Sequence, residues 1–169
     1  MVSRSLARFL FLAAGLPLLA CASDDAIPVS SSHDPLYRFP AQASYAWDDD
    51  ASSMPDSPGI DRETTEALFK QVAEDAFAAR GYRASASPGA DYRLSYQYVI
   101  NTRTGPDESI AVGSLSLMLA ERATRRRIWS GFGQAEIYLG LSPEERRARL
   151  RDAMDRMLQF FPPSQRPPE

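Results

Sequence analysis

The chain has 169 residues, a formal charge of −3, one cysteine and one histidine. This length suits a single domain, and one cysteine excludes an internal disulfide. A single histidine in a serine-rich stretch excludes catalytic triads and histidine-rich zinc sites, the mildly acidic charge argues against nucleic acid as a partner, and we expect no metal and no cofactor.

The first twenty residues predict an export signal. Arg4 and Arg8 precede an apolar run at 9–19, which is too short to span a bilayer as a helix. The run ends in Leu-Leu-Ala and is followed at once by Cys21, a pattern that looks like a bacterial lipoprotein signal. The pattern implies cleavage before Cys21 and lipid modification of that residue. Loss of the two arginines takes the charge from −3 to −5.

Residues 21–36 are small and polar and contain proline, so we predict a lipidated flexible tether. The residue after the cysteine is Ala22, not aspartate, which implies the outer membrane with the domain facing the periplasm. We expect one domain at 37–163 and a disordered, proline-rich tail at 164–169.

Apolar residues alternate with small or polar ones across 37–47, which predicts a strand, with Pro40 at an edge or a bulge. A polar loop follows at 48–59. The spacing at 61–80 predicts a helix with Asp61 as N-cap and Gly81 as the residue that ends it. Its predicted inner face holds Leu68, Val72, Ala76 and Ala79, with Phe69, Ala73 and Phe77 beside it. We predict a turn-rich connection at 82–90.

Clean alternation predicts a strand at 91–100, a loop at 101–109, a strand at 110–120 and another at 127–138 after a basic turn. The last helix, at 142–161, begins with the capping-box sequence Ser142-Pro143-Glu144-Glu145 and is stopped by Pro162 and Pro163.

This β-α-β-β-β-α order predicts an α+β two-layer sandwich. We expect one mostly antiparallel, four-stranded sheet with two amphipathic helices on one face. If the first strand joins the second in parallel, the crossover through the first helix is right-handed.

Several short motifs occur in a familiar order. They are Tyr45-Ala46-Trp47, Arg80-Gly81-Tyr82, Ala90-Asp91-Tyr92-Arg93-Leu94-Ser95-Tyr96, Leu115-Ser116-Leu117, Ile128-Trp129-Ser130-Gly131 and Phe160-Phe161-Pro162-Pro163. Over 37–163 the chain resembles the bacterial lipoproteins of domain-of-unknown-function family 4136. The resemblance implies an exported, usually lipidated α+β domain and brings no catalytic residues. Arg125 stands where the family has a turn glycine, so either the turn changes type or Arg125 is strained at positive φ.

Two groups are candidates for a binding surface. The aromatic candidates are Tyr45, Trp47, Tyr92, Tyr96 and Trp129. They are able to stack on a glycan or to pack in the core, and packing is the expected outcome. The basic candidates are Arg125, Arg126 and Arg127, which suit anionic lipid or polymer, although a solvated turn is the favoured interpretation.

Acidic residues raise two further hypotheses. Asp48, Asp49, Asp50 and Asp56 could bind calcium, but their spacing is not that of an EF-hand, and we expect a solvated loop. Asp91 with Glu121 or Glu136 could serve as a carboxylate pair.

The sequence therefore predicts a membrane-anchored envelope lipoprotein with a non-catalytic binding or scaffolding domain. Its expected partners are the membrane, through Cys21, and an envelope protein or glycan. The alternative is a carboxylate-dependent hydrolase or transferase acting on an envelope glycan.

Overall fold

A computed structural model describes residues 27–87, 89–104, 109–138 and 140–162. The predicted signal, Cys21 and the tail at 164–169 lie outside these residues. The elements are β1 (Val29–His33), β2 (Ala43–Trp47), α1 (Arg62–Ala78), β3 (Tyr82–Ala84), β4 (Tyr92–Thr104), β5 (Ser109–Glu121), β6 (Arg127–Glu136) and α2 (Pro143–Met157), with a turn of 3-10 helix at Asp49–Ala51.

The sheet is mixed and has six strands in the order β1-β6-β5-β4-β2-β3. The α+β class is confirmed, and so is the antiparallel run from β4 to β6. The prediction of four mostly antiparallel strands is wrong in number. β2 lies parallel to both β3 and β4, and two short strands at the sheet edges complete the sheet.

One of these added strands, β1, lies within the predicted tether. It pairs antiparallel with β6, with Val29 opposite Gly133 and Ser31 opposite Gly131. Four of its five residues are exposed, because β1 is an edge strand held by backbone hydrogen bonds. Such a strand needs no apolar alternation, which explains why its serines suggested a tether.

The other added strand, β3, occupies part of the predicted turn-rich connection. Its Tyr82 is fully buried, and the Tyr82 hydroxyl donates to the carbonyl oxygen of Pro40 at 2.6 Å. The preceding Gly81 has a φ of +87°, and a Cβ there would overlap the carbonyl oxygen of Ala41. Glycine is therefore required both for the helix end and for the close approach of the next chain segment.

The first long predicted strand is shorter than expected. β2 begins only at Ala43, and the loop before it inserts Phe39 into the core, where its ring centroid lies 5.7 Å from that of Phe161. After β2 the 3-10 turn interrupts the pairing, which resumes when the Ser53 N–H donates to the Tyr96 carbonyl at 2.9 Å.

The alternation predicted for the central strands is confirmed. On β4 the buried face carries Tyr92, Leu94 and Tyr96, and on β5 it carries leucines 115, 117 and 119. Both strands are longer than predicted, because β4 extends to Thr104 and β5 starts at Ser109. Most of the predicted loop at 101–109 is therefore part of a two-stranded hairpin.

Both helices begin where their caps predict. The Asp61 carboxylate accepts from the Thr64 N–H, and Ser142 and Glu145 form the predicted capping box. The buried residues of α1 are Phe69, Val72, Ala73, Ala76 and Phe77, whereas Ala79 is exposed. None of the helices among the described residues is long and apolar enough to cross a membrane.

The helices lie side by side and run in the same direction. Arg147 donates to the Gln71 side chain at 3.0 Å, and Arg80 donates to the Leu158 carbonyl at 2.8 Å. Together they cover one face of the sheet, with a core rich in aromatic rings. Phe161 lies at its centre, with ring centroids 4.8 Å from Tyr82, 5.2 Å from Trp129 and 5.3 Å from Phe77.

Candidate functional site

An open depression lies at the end of the sheet where β2 and β4 begin, and we call this end of the sheet the depression end. Its volume is about 610 Å³. The loop before β2, the start of β4 and the turn between β5 and β6 form its walls. Its lining residues are Tyr37, Pro40, Gln42, Ala43, Ala90, Asp91, Tyr92, Glu121, Arg122 and Ala123.

Asp91 is the most firmly positioned acid in the depression. One carboxylate oxygen accepts from the Ser44 N–H at 2.8 Å and from the Ser44 hydroxyl at 2.7 Å. These bonds, the backbone one first, hold the pKa of the Asp91 carboxyl below its usual range. The residue is therefore an ionised hydrogen-bond acceptor with a fixed orientation.

Glu121 belongs to the opposite wall, where β5 turns into β6. Its carboxylate accepts from the Thr124 hydroxyl at 2.6 Å, and its carbonyl accepts from the Arg125 N–H at 2.8 Å. Arg125 has a φ of 57°, so the second of the two predicted outcomes is observed. A side chain at this φ costs backbone energy that the surrounding turn must offset.

Tyrosine rings form the floor. The hydroxyls of Tyr37 and Tyr92 are 2.9 Å apart and hydrogen-bonded to each other. Burial raises the pKa of Tyr92, and it raises the pKa of the neighbouring Tyr82 to about 12. The phenols of Tyr92 and Tyr82 are therefore neutral at ordinary pH, and they act as hydrogen-bonding groups.

Most of the predicted aromatic surface lies inside the protein. Tyr45, Tyr92, Tyr96 and Trp129 are each at most 3% exposed, so they have no open ring face for a glycan. Their interior position follows from strand alternation, which places them under the helices. Trp47 is half-buried, and its indole N–H donates to Glu74 at 2.8 Å.

The three arginines have different environments. Arg125 and Arg127 are exposed. Arg126 forms an ion pair with Asp34 at 3.1 Å, and its guanidinium lies 5.7 Å from the centre of the Tyr37 ring. Arg126 therefore fastens the β5–β6 turn to the loop that follows β1.

Three of the four acids considered for calcium have a basic neighbour, which fits the expected solvated loop. Asp48 pairs with Arg93 at 3.0 Å, and Asp49 pairs with Lys70 at 2.9 Å. Asp56 lies 3.5 Å from Arg62. Among the described residues, no group of three or more acids, histidines or cysteines is placed to hold a metal ion.

The two proposed partners of Asp91 lie at opposite ends of the sheet. Glu121 shares the depression with Asp91. Glu136 ends β6 at the far end, where Arg103 donates to it at 2.8 Å and the Tyr138 hydroxyl donates at 2.9 Å. Only the pair of Asp91 and Glu121 therefore faces one common space.

The sequence did not indicate the other members of the site. Tyr37, Gln42, Ser44 and Arg122 come from three separate segments. No local pattern marks them, because the depression exists only once the β2 loop and the β5–β6 turn meet at β4. The sequence did indicate Asp91, Tyr92 and the pairing of Asp91 with Glu121.

The chain is thus an α+β domain with two parallel helices on one face of a mixed sheet and a polar depression at one end. It belongs to the family described as Domain of unknown function (DUF4136), whose model matches residues 29–163. No curated protein matches it.

Comparison with solved structures gives matches at low sequence identity. The PelC dodecamer from Paraburkholderia phytofirmans is 14% identical, with 78% of this chain and 94% of that chain covered at a TM-score of 0.50. A PDZ domain protein from Parabacteroides distasonis is 11% identical, with 83% and 36% covered at 0.52. Lipoprotein GNA1162 from Neisseria meningitidis is 16% identical, with 69% and 98% covered at 0.45. The TM-scores of the first two structures show a shared fold, and identities this low say nothing about ligands.

Proposed function

We propose that this chain is a lipid-anchored lipoprotein of the bacterial envelope whose domain is a non-catalytic binding module, with the depression as its binding site. The export signal and Cys21 support the anchor. Each buried methylene of an acyl chain contributes about 0.8 kcal/mol, so two or more chains on Cys21 hold the protein durably. Ala22 favours the outer membrane, with the domain in the periplasm.

The fixed geometry of Asp91 is the observation that carries the binding role. Two donors from Ser44 hold one oxygen of its carboxylate. An acceptor that is already oriented loses little entropy when a ligand binds. Arg122 and Gln42 in the same walls add a cation and an amide, and Tyr37 adds an aromatic surface. This mixture suits a polar envelope component, either a protein segment or a glycan.

In-cell crosslinking of the tagged, lipidated protein, followed by purification and mass spectrometry, tests this proposal. We expect one dominant envelope component, which is lost in the Arg122→Glu variant and in the Cys21→Ser variant. Arg151→Glu, which makes the same charge change on an exposed part of α2, is the matched control and retains the component. If the Arg122→Glu and Arg151→Glu variants capture the envelope component equally well, the depression is not its binding site.

A carboxylate enzyme is the second candidate, because Asp91 and Glu121 line one depression. A general acid in a glycosidase needs a raised pKa, whereas the pKa of Asp91 is lowered. Release of soluble fragments from purified envelope glycan is the decisive assay. Turnover that disappears in both Asp91→Asn and Glu121→Gln would establish the enzyme, and absence of turnover in the native protein supports the binding module.

A further inference from the structure

We propose that the outer part of the β4–β5 hairpin, residues 101–104 and 109–112, is the lipid-facing surface of the anchored domain. We call this part the hairpin end. The inference rests on the proposed lipidation of Cys21, and it deepens the proposed function because it orients the depression away from the membrane.

The chain enters the sheet on the side of the hairpin end. The Pro28 carbonyl accepts from the Gln134 N–H at 3.2 Å, close to the last residues of β6. From there β1 runs toward the depression end, where the Asp34 N–H donates to the Ile128 carbonyl at 2.9 Å. The segment that leads back to Cys21 therefore leaves the domain near the hairpin end.

The hairpin end projects past the point where this segment leaves. Gln134 is paired with Ser114 of β5, and β5 begins five residues earlier, at Ser109. At roughly 3.4 Å per residue, the projection is about 17 Å. β6 pairs with β5 as far as Val112, and the Ile137 N–H donates to the Ala111 carbonyl at 2.9 Å, so only the outermost residues of β4 and β5 pair with each other alone.

The segment between Cys21 and the domain has a mean span similar to the length of this projection. Six residues lie between Cys21 and Pro28, so seven Cα–Cα steps join the two. Fully extended they reach about 25 Å, and as a flexible chain their mean span is about 15 Å. Because the mean span is close to the projection, the hairpin end reaches the lipid headgroups in the anchored protein.

The side chains at the hairpin end suit the headgroup layer. Residues 101–104 are all exposed, and the Arg103 side chain is 65% exposed. Tyr138, which shares Glu136 as an acceptor with Arg103, is 44% exposed. Arginine interacts with lipid phosphates, and tyrosine favours the membrane–water interface. Polar side chains at 101, 102 and 104 keep the contact at the headgroups and out of the hydrocarbon.

The depression then lies far from the bilayer. It is at the start of β4, and β4 has thirteen residues from Tyr92 in the depression to Thr104 at the hairpin end. At roughly 3.4 Å per residue this distance is about 40 Å. Its ligand therefore comes from the periplasm or from a partner, and not from the lipids that hold the anchor.

A fluorescent label read against a quencher tests this orientation. Lipidation consumes the only cysteine, so one added cysteine gives one labelled position. Thr102→Cys places the label at the hairpin end, and Ala79→Cys places it on an exposed residue where α1 ends, at the depression end. Each lipidated variant is reconstituted in vesicles of phosphatidylethanolamine and phosphatidylglycerol that contain a headgroup-attached nitroxide quencher.

We expect quenching at residue 102 to be several-fold stronger than at residue 79. A Gly-Ser insertion of about twenty residues between Asp24 and Asp25, which raises the mean tether span to about 30 Å, should abolish this difference while the protein stays bound. Equal quenching at the two positions, or stronger quenching at 79, overturns the orientation.

Vesicle flotation separates this outcome from failure of the anchor. The native lipidated protein should float with the vesicles, and Cys21→Ser should not. If Cys21→Ser floats equally well, the proposed anchor fails and the orientation fails with it. If flotation depends on Cys21 but the quenching is uniform, the orientation alone is wrong.

Discussion

The two ends of the sheet are built differently. At the depression end, β2, β3 and β4 meet both helix ends and the loop that carries Phe39, and specific contacts join them. At the hairpin end, β4 and β5 extend beyond β6, residues 101–104 are exposed, and Arg103 forms an ion pair with Glu136. We infer that the domain derives its stability from the depression end, and that residues at the hairpin end can change with little effect on folding.

Family motifs follow the same division. Arg80-Gly81-Tyr82 ends α1, Asp91-Tyr92 fastens β4 to β2, and Phe161 fills the core between them. These residues maintain the fold at the depression end. The motifs that carry the resemblance are therefore mainly structural, and they do not by themselves mark a ligand.

The largest effect is expected from Phe77→Ala. The Phe77 side chain is fully buried against Tyr45, Trp129 and Phe161, so the truncation leaves a cavity in the aromatic core. We expect it to lower the free energy of unfolding by about 3–5 kcal/mol. Val99→Ala, a half-exposed apolar residue on β4 away from the core, should cost about 0.5 kcal/mol. Urea unfolding measures both, and equal losses would contradict the role of Phe77 in the packed aromatic core.

The next largest difference in stability is expected between arginine replacements at the two ends of the sheet. Arg80 donates to the carbonyls of Ala76 and Leu158 and so holds the ends of both helices together. We expect Arg80→Met to cost about 2 kcal/mol. Arg103→Met removes only an exposed ion pair and should change stability by less than about 0.5 kcal/mol. Thermal unfolding of the two variants side by side gives the comparison, and a greater loss for Arg103→Met would reverse it.

Replacing either of two buried tyrosines by phenylalanine should change the stability of the domain, in opposite directions. The Tyr45 hydroxyl is buried and has no hydrogen-bond partner within the part of the chain that the structure describes, whereas Tyr82 donates to Pro40. Removing an unsatisfied hydroxyl is favourable and removing a satisfied one is not. We expect Tyr45→Phe to stabilise by about 1 kcal/mol and Tyr82→Phe to destabilise by about 1 kcal/mol. Denaturation midpoints that move the same way in both variants would contradict this assignment.

The smallest effect concerns acid stability. Because the pKa of Asp91 is lower in the folded protein than in the unfolded chain, its stabilising contribution is present above the unfolded value of about 4 and is lost as the pH falls through the folded value. Asp91→Asn should therefore cost about 1 kcal/mol or less at neutral pH and should flatten the acid side of the stability profile. Asp152→Asn on α2, which removes one carboxylate at a distance from the depression, is the matched control for the loss of a charge.

Local sequence signals were reliable where they have a direct physical cause. Alternation located the buried face of β4 and β5, and the capping box located the start of α2. The replacement of a turn glycine by Arg125 correctly indicated positive φ as one of two outcomes. Each of these signals depends on residues close together in the chain.

The remaining features depend on distant segments. β1 was missed because an edge strand of serines has no alternation, and its partner Gly131 shows the pairing only in the folded sheet. The depression was missed because Ser44 and Asp91, which hold each other at its edge, are 47 residues apart. Acidic residues and arginines are easily chosen as candidates from a sequence. Only their neighbours in the folded structure show which of them line a common space.

The central claim is that the depression end binds an envelope component while the hairpin end faces lipid. Photo-crosslinkers placed at Gln42 and at Thr102 of the lipidated protein in living cells test both halves in one measurement. We expect a protein or glycan adduct from Gln42 and a phospholipid adduct from Thr102. The same adducts from both positions, or lipid at Gln42 and a protein at Thr102, would contradict it.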